Sequence, residues 1–277
     1  MGTLGIIAGG GELPRAIAQS VTASGGKVHI LGILGSTDKD WLEDFAHDWI
    51  GLGELGRSAK LLSAAGARDI LLVGRVDRPT FSEIKLDGRG VMMLPSLLSA
   101  ARKGDNALMQ AVSDFYEGEG FNILKASQAA PNLVMTEGPL GKLTPGEDHQ
   151  HDIARAFAII RALGAEDVGQ AAIVCEGLPL CVEAAEGTDA MIARVNTLRK
   201  NLRGTPDKKR GVLTKALKPI QDGKTDLPVI GIQTVQNAHD AGLAGIALQA
   251  GASLIVGKDD VAAAADRLGL FIVGVKP

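Results

Sequence analysis

LGIIAGGGELP, residues Leu4 to Pro14, joins an apolar run to three consecutive glycines, an acid, a leucine and a proline. Leu4–Ala8 reads as a short buried strand, and Gly9, Gly10 and Gly11 can take backbone angles closed to residues with a Cβ. A helix starting near Glu12 would aim its free N–H groups into the same turn, which suits an anion. Two readings stand: a cradle for a phosphate-bearing ligand, or a tight strand-to-helix turn with none. Gly9-x-Gly11 begins a dinucleotide fingerprint, but Pro14 occupies the place of the third glycine, which permits close helix–strand packing. The acid expected after the second strand is missing from ILGILGS, and no Gly-Lys-Ser or Gly-Lys-Thr marks a P-loop. Hydride transfer with a nicotinamide cofactor is the weaker reading. A sugar-nucleotide or phosphate contact needs none of the missing residues.

Outward from this turn, short apolar runs alternate with helical patterns. ELPRAIAQSVTASG carries apolar residues at 13, 17 and 21, KVHILGIL is a β-branched strand, and WLEDFAHDWIGLG reads as a polar region. GELGRSAKLLSAAGARD then gives a helix and DILLVGRV another buried strand, so a largely parallel sheet with helices on its faces is predicted. Helices at SLLSAARKG and DNALMQAVSDFYEGEG lead to a short strand near FNILKA. From Ala126 to Asp148 the pattern lapses into a proline- and glycine-marked stretch read as a linker or domain crossing. Beyond it, HDIARAFAIIRALGA is helical and GQAAIVCEGLPLCVEAAEGTDA supplies an antiparallel pair. TDAMIARVNTLRKNL is a helix that Thr188 or Asp189 could cap. GVLTKALKPI and the alternating segments after it complete a second α/β layer structure. The expectation is two α/β domains: residues 1–132, Rossmann-like with a parallel sheet, and residues 133–277, a mixed α/β domain carrying the carboxylate motifs.

With 277 residues, two domains of ordinary size are the better expectation. Thirty-six glycines stand against two tryptophans, one tyrosine and six phenylalanines, and the net charge is −3. Scarce aromatics and no concentrated positive charge count against nucleic acid as a partner. Cys175 and Cys181 lie in apolar runs without metal spacing and read as buried thiols. No stretch approaches the roughly 20 apolar residues of a spanning helix, so a cytoplasmic protein is expected, with peripheral membrane attachment open.

Four stretches put charge beside glycine or proline where apolar runs end: VGRVDRP (73–79), ARKGDN (101–106), EGTDA (186–190) and KPIQDGKTDLP (218–228). Loops on an α/β scaffold are where active sites collect, although each stretch also reads as a wet surface loop. Glu186 and Asp189 could merely cap a helix; with an acid from residues 222–226 they would form an oxygen-rich magnesium site. The histidines are scattered or diverge, as His149 and His151 do on a helix, so a histidine-rich metal site is not supported. Phosphate-bond cleavage would then use Mg²⁺ on carboxylates, with Lys or Arg on the phosphoryl oxygens.

Seven strings, in order over nearly the whole chain, carry a resemblance: GIIAGGGELP, VGRVDRP, LPSLLSAARKGDNALM, IVCEGLPLCVEAAEGTDAMIARV, VLTKALKPIQDGKTDLPVIG, AGLAGIALQAG and ADRLGLFIVGV. The chain resembles the magnesium-dependent UDP-2,3-diacylglucosamine diphosphatases of lipid A synthesis, the type unrelated to metallophosphoesterases. The resemblance implies two α/β domains with the lipid in a cleft between them, and hydrolysis of UDP-2,3-diacylglucosamine to UMP and 2,3-diacylglucosamine 1-phosphate. It implies catalytic roles for Asp226, Lys215 and Arg75, Asp226 being the acid of the DLP motif. Substrate contacts would come from Gly10, Gly11, Glu12, Leu13, Arg75, Lys103, Asp105, Glu186, Gly187, Thr188, Asp189, Lys218 and Gln221. Mg²⁺ would sit on Asp226, Asp189 and Asp222. Asp222 and Lys224 lie in a stretch that varies within the family, so the resemblance bears most directly on Asp226. Transient contact with the inner-membrane surface follows from the lipid substrate, and a homodimer is left open. The reading from another class is a non-catalytic sugar-nucleotide sensor, which would keep the glycine turn and need neither Asp226 nor a divalent ion.

Overall fold

The computed structural model describes residues 2–76, 84–219 and 227–277. The chain divides into two compact units, Met1–Asn132 and Leu133–Pro277.

In the first unit, β1 (Thr3–Ala8), β2 (Lys27–Ile33), β3 (His47–Ile50), β4 (Ala67–Val73) and β5 (Asn122–Ile123) form one sheet of order β3-β2-β1-β4-β5. Every pairing is parallel. A parallel sheet needs a crossover after each strand and cover on both faces, which is why its central strands are continuous apolar runs. Successive side chains point to opposite faces, and Ile7, Leu31, Ile70 and Leu72 join Leu62, Phe115 and Tyr116 in one core cluster. α2 (Leu55–Ala64) and α4 (Asp105–Gly118) pack there, with α3 (Gly88–Ala101) against both helices. α1 (Leu13–Ala23) and α5 (Ala126–Ala129) pack against each other. Gly5 allows the close approach: a Cβ there would lie 2.5 Å from Leu62 Cδ2. Both tryptophans and the single tyrosine belong to this unit, Trp41 and Tyr116 buried and Trp49 on β3.

The second unit is a mixed six-stranded sheet: β6 (Gly138–Pro139), β13 (Phe271–Val275), β11 (Gly245–Gln249), β9 (Val212–Lys215), β7 (Ala171–Cys175) and β8 (Leu178–Val182), in that spatial order. β9, β11 and β13 are parallel, while β6 and β7 run against them and β8 against β7. α6 (Glu147–Gly164) supplies Ile153, Ala156, Phe157 and Ile160 to one core cluster. α7 (Gly187–Val195), α8 (Ile232–Asp240) and α9 (Lys258–Leu268) pack into the other cluster through Met191, Ile192, Val235 and Val261. A two-stranded parallel pair, β10 (Val229–Ile230) with β12 (Leu254–Ile255), completes the unit.

The structure corrects two sequence expectations. The region around the two tryptophans contains β3, an edge strand whose polar His47 and Asp48 hide it from a pattern search. The stretch from 126 to 148, read as a linker or domain crossing, contains the division between the two units at 132/133 and also holds α5, a 3₁₀ turn at Pro131–Leu133, β6 and the start of α6. Neither Thr188 nor Asp189 caps α7: the N-cap is Glu186, without a side-chain hydrogen bond.

Candidate functional site

In the first unit the residues of interest collect at the carboxyl edge of β1 and β4. Strand order reverses there, because β2 and β3 lie on one side of β1 and β4 and β5 on the other. In open α/β sheets such a switch point leaves a crevice for ligands. The glycines do more than line it. Gly9 N donates to Val73 O at 2.8 Å, Gly10 N to Arg75 O at 2.7 Å, and Arg75 N to Gly10 O at 2.9 Å. A Cβ at Gly9 would lie 2.5 Å from Arg75 O, and one at Gly10 2.7 Å from Ser36 O. Main chain is packed on main chain, and two of the three glycine amides serve that interlock rather than a ligand. Thr37 Oγ1 tightens it by donating to Ala8 O while accepting from Ile33 N.

The open part of the turn is therefore its second half. Gly11 has φ +90° with nothing within 4 Å of a Cβ, Glu12 is exposed, and no side chain caps α1. Arg75 is exposed beside this helix start, held there by its backbone pairing with Gly10. Lys103, also exposed, and Asp105 lie at the α3–α4 joint, where Gly104 turns with φ +122°. Ser36 and Thr37 were missed by sequence reading, since their part in the turn depends on β2 ending beside β1.

In the second unit the parallel strands β9, β11 and β13 end on one edge, and the antiparallel register brings Ala171 opposite Lys215 there. Lys215, the last residue of β9, is 4% exposed. Its Nζ donates to Thr188 Oγ1 at 2.8 Å and to Val229 O at 3.1 Å. Thr188 in turn donates to Glu183 Oε1, and Glu183 is buried just past β8. Glu183 Oε2 accepts from Gln170 N at 3.1 Å. Asp189 accepts from Asn237 Nδ2 at 2.9 Å across to α8. Lys218 is ion-paired to Asp167 at 2.6 Å, and Glu186 to Arg194 at 3.0 Å. Gly187 takes φ +79° at the entry to α7, a backbone conformation that disfavours a side chain.

Thr188 and Lys215 are thus directly joined, Asp189 stands one residue from Thr188, and Lys218 lies three residues past Lys215. Gln221, Asp222 and Asp226 lie outside the described residues. Among the described residues no group of three or more His, Cys, Asp or Glu could hold a metal ion. Glu183 and Gln170 were not singled out from sequence, although an acid closing the apolar run LPLCV is a signal of the same kind as the four charged junctions.

A family model described as the LpxI N-terminal domain matches residues 3–133, and one described as the LpxI C-terminal domain matches residues 136–273. Over 277 residues the chain is 45% identical to a Caulobacter vibrioides protein named UDP-2,3-diacylglucosamine pyrophosphatase LpxI, covering 100% of this chain and 99% of that protein. Among solved structures, UDP-N-acetylglucosamine 4-epimerase from Bacillus cereus aligns with 44% of this chain and 33% of that one, at 12% identity and a TM-score of 0.25. That likeness carries no argument.

Proposed function

The chain belongs to the LpxI family, and from that premise we propose that it is a hydrolase cleaving the diphosphate bond of UDP-2,3-diacylglucosamine, giving UMP and 2,3-diacylglucosamine 1-phosphate in lipid A biosynthesis. The observation that carries this reading is the full-length 45% identity to a protein named for that activity. The local chemistry supports it. A buried ammonium fixed by hydrogen bonds to Thr188 and Val229, as at Lys215, is a pre-set positive charge for phosphoryl oxygens that gain charge as the bond breaks. The exposed start of α1, with Arg75 beside it, offers N–H dipoles and a cation to an anionic group. In this reading Gly11, Glu12, Leu13, Arg75 and Lys103 contact substrate in the first unit, and Gly187, Thr188, Asp189, Lys215 and Lys218 in the second.

A divalent cation belongs to the same proposal, with Asp226 as its first ligand and Asp189 and Asp222 beside it. Asp189 alone of these is described, and the described residues do not by themselves make a metal site. The ion therefore rests on the DLP motif. Contact with the inner-membrane surface from the cytoplasmic side is proposed on the amphiphilic substrate. It is supported by α3, which exposes Val91 (57%) and Met92 (72%) and is followed by exposed Arg102 and Lys103. No helix among the described residues is long and apolar enough to cross a membrane.

The deciding assay incubates purified protein with UDP-2,3-diacylglucosamine, with and without chelator, and follows UMP. Release of UMP that stops in EDTA and returns with Mg²⁺ is expected. Binding without turnover in excess Mg²⁺ would replace the hydrolase with a sugar-nucleotide sensor, and undiminished turnover after exhaustive chelation would remove the ion.

A further inference from the structure

Glu183 has no role in the chemistry described so far, yet it is a carboxylate with 6% exposure on the edge that carries Lys215. Burying an ionised group is unfavourable unless it is paired and hydrogen-bonded. Both its oxygens are in use, Oε1 by the Thr188 hydroxyl and Oε2 by the Gln170 amide. Gly169 lets the donor segment lie directly against it, because a Cβ there would stand 2.1 Å from Glu183 O.

The direction of this chain is fixed by donor and acceptor capacity. An ammonium only donates, so Thr188 Oγ1 must accept from Lys215 Nζ. The one hydroxyl proton of Thr188 is then left for Glu183, a pure acceptor when ionised. Positive charge, hydroxyl and negative charge form one line in which no member can be reversed. Thr188 is anchored on α7, Lys215 on β9 and Glu183 past β8, so the line ties three elements at one point.

We propose that Glu183 is a positioning residue for the diphosphatase reaction: through the Thr188 hydroxyl it fixes the ammonium of Lys215. This rests on the reading above, in which Lys215 acts on the diphosphate. An amide at position 183 cannot replace the carboxylate, because it keeps one acceptor oxygen and sets an NH₂ against the remaining donor. The Thr188 rotamer, and with it the seat of Lys215, is then lost while the volume is unchanged.

The test measures kcat, KM and the melting midpoint for Glu183→Gln, Thr188→Val, Thr188→Ser, Lys215→Ala and the Glu183→Gln/Thr188→Val double variant. Expected are losses of at least about tenfold in kcat for Glu183→Gln and Thr188→Val, with KM within about threefold. Thr188→Ser should keep about tenfold more kcat than Thr188→Val, since it restores the hydroxyl. The double variant should be no slower than the worse single variant, the non-additivity of residues acting as one unit. A lowered midpoint with kcat intact in Glu183→Gln, or strictly additive losses in the double variant, would overturn the proposal. Lys215→Ala separates the two readings. If it is inactive while Glu183→Gln turns over normally, only the positioning role fails; wild-type turnover in Lys215→Ala removes the role of Lys215 itself. Should Glu183→Gln fold poorly, Thr188→Val against Thr188→Ser reads the same line from its middle.

Discussion

The two sheet edges solve different problems. At the first, around Gly9, Gly10 and Arg75, the interlock is made by backbone atoms, and the side chains nearby are exposed. At the second, around Lys215, Thr188 and Glu183, the interlock is made by side chains, two of them buried and charged. A backbone edge offers fixed dipoles with an exposed cation beside them, suited to holding an anion. A side-chain edge offers groups whose positions are set by one another, suited to acting on a bond. With the proposed function, this contrast predicts that the second edge governs kcat and the first governs affinity.

The largest expected effect would break the contrast if absent. Asp226→Ala and Lys215→Ala should each cut kcat by at least about 10²-fold, about 2.7 kcal/mol, while the substrate Kd measured by calorimetry stays within a few-fold. A folded Asp226→Ala protein with wild-type turnover would show an ordinary turn residue instead.

Of comparable size is a pH effect confined to the first unit. Burial pushes the Tyr116 phenol up to about 12, partly opposed by its hydrogen bond to Ser58 and reinforced by the charge of Asp87. The Tyr116 hydroxyl and Ser58 Oγ lie 2.7 Å apart. Below pH about 10 the phenol is protonated whether the chain is folded or not; above that the unfolded chain ionises first. Stability should therefore fall as pH rises from about 10 to about 12, by roughly 3 kcal/mol from this group. Tyr116→Phe should flatten that slope in urea titrations. Because the chain has one tyrosine, phenolate absorbance reads this residue directly.

Smaller still is the steric test of the backbone interlock. Gly9→Ala meets Arg75 O, a main-chain atom that cannot swing away, and should cost about 2 kcal/mol in the melting curve. Gly11→Ala has open space and suffers only from its positive φ, so about 1 kcal/mol is expected. Equal losses would mean the interlock contributes little. The smallest effect expected on turnover is Arg75→Ala, about tenfold in kcat/KM, or about 1.4 kcal/mol, carried by KM. A loss of about 10²-fold in kcat would move Arg75 among the catalytic groups and erase the distinction between the edges.

Much of the architecture was legible in the chain. LGIIA, ILLV and AAIVC are continuous apolar runs closed by glycine or a charged residue, the mark of strands buried on both faces. β3, HDWI, was not, because an edge strand with two polar residues has no run to detect. β6 and β10 are two residues each, below any period. The site shows the same division. Thr188 stands at a junction that charge beside glycine had marked, Lys215 lies inside the strand run GVLTKALKPI and was named only through the resemblance, and the structure joins the two. Glu183 and Gln170 reach the same point only through the pairing of β7 with β8 and β9, which is nonlocal and leaves no local spacing. The glycines misled in the opposite sense. Their freedom was visible, but that Gly9 and Gly10 use it to pack on Gly74 and Arg75 depends on β4 lying beside β1.

Trp41, Trp49 and Tyr116 all fall in the first unit, and the second holds only phenylalanine among the hydrocarbon-ringed residues. The molecule thus carries an optical label on one half and none on the other. Indole emission during denaturation tracks the first unit alone, with Trp41 passing from 6% exposure to water, whereas amide ellipticity sums both. If the two signals superimpose, the halves melt as one cooperative body; if they separate, the gap between midpoints gives the free energy by which one half outlasts the other, with no dye or tag attached.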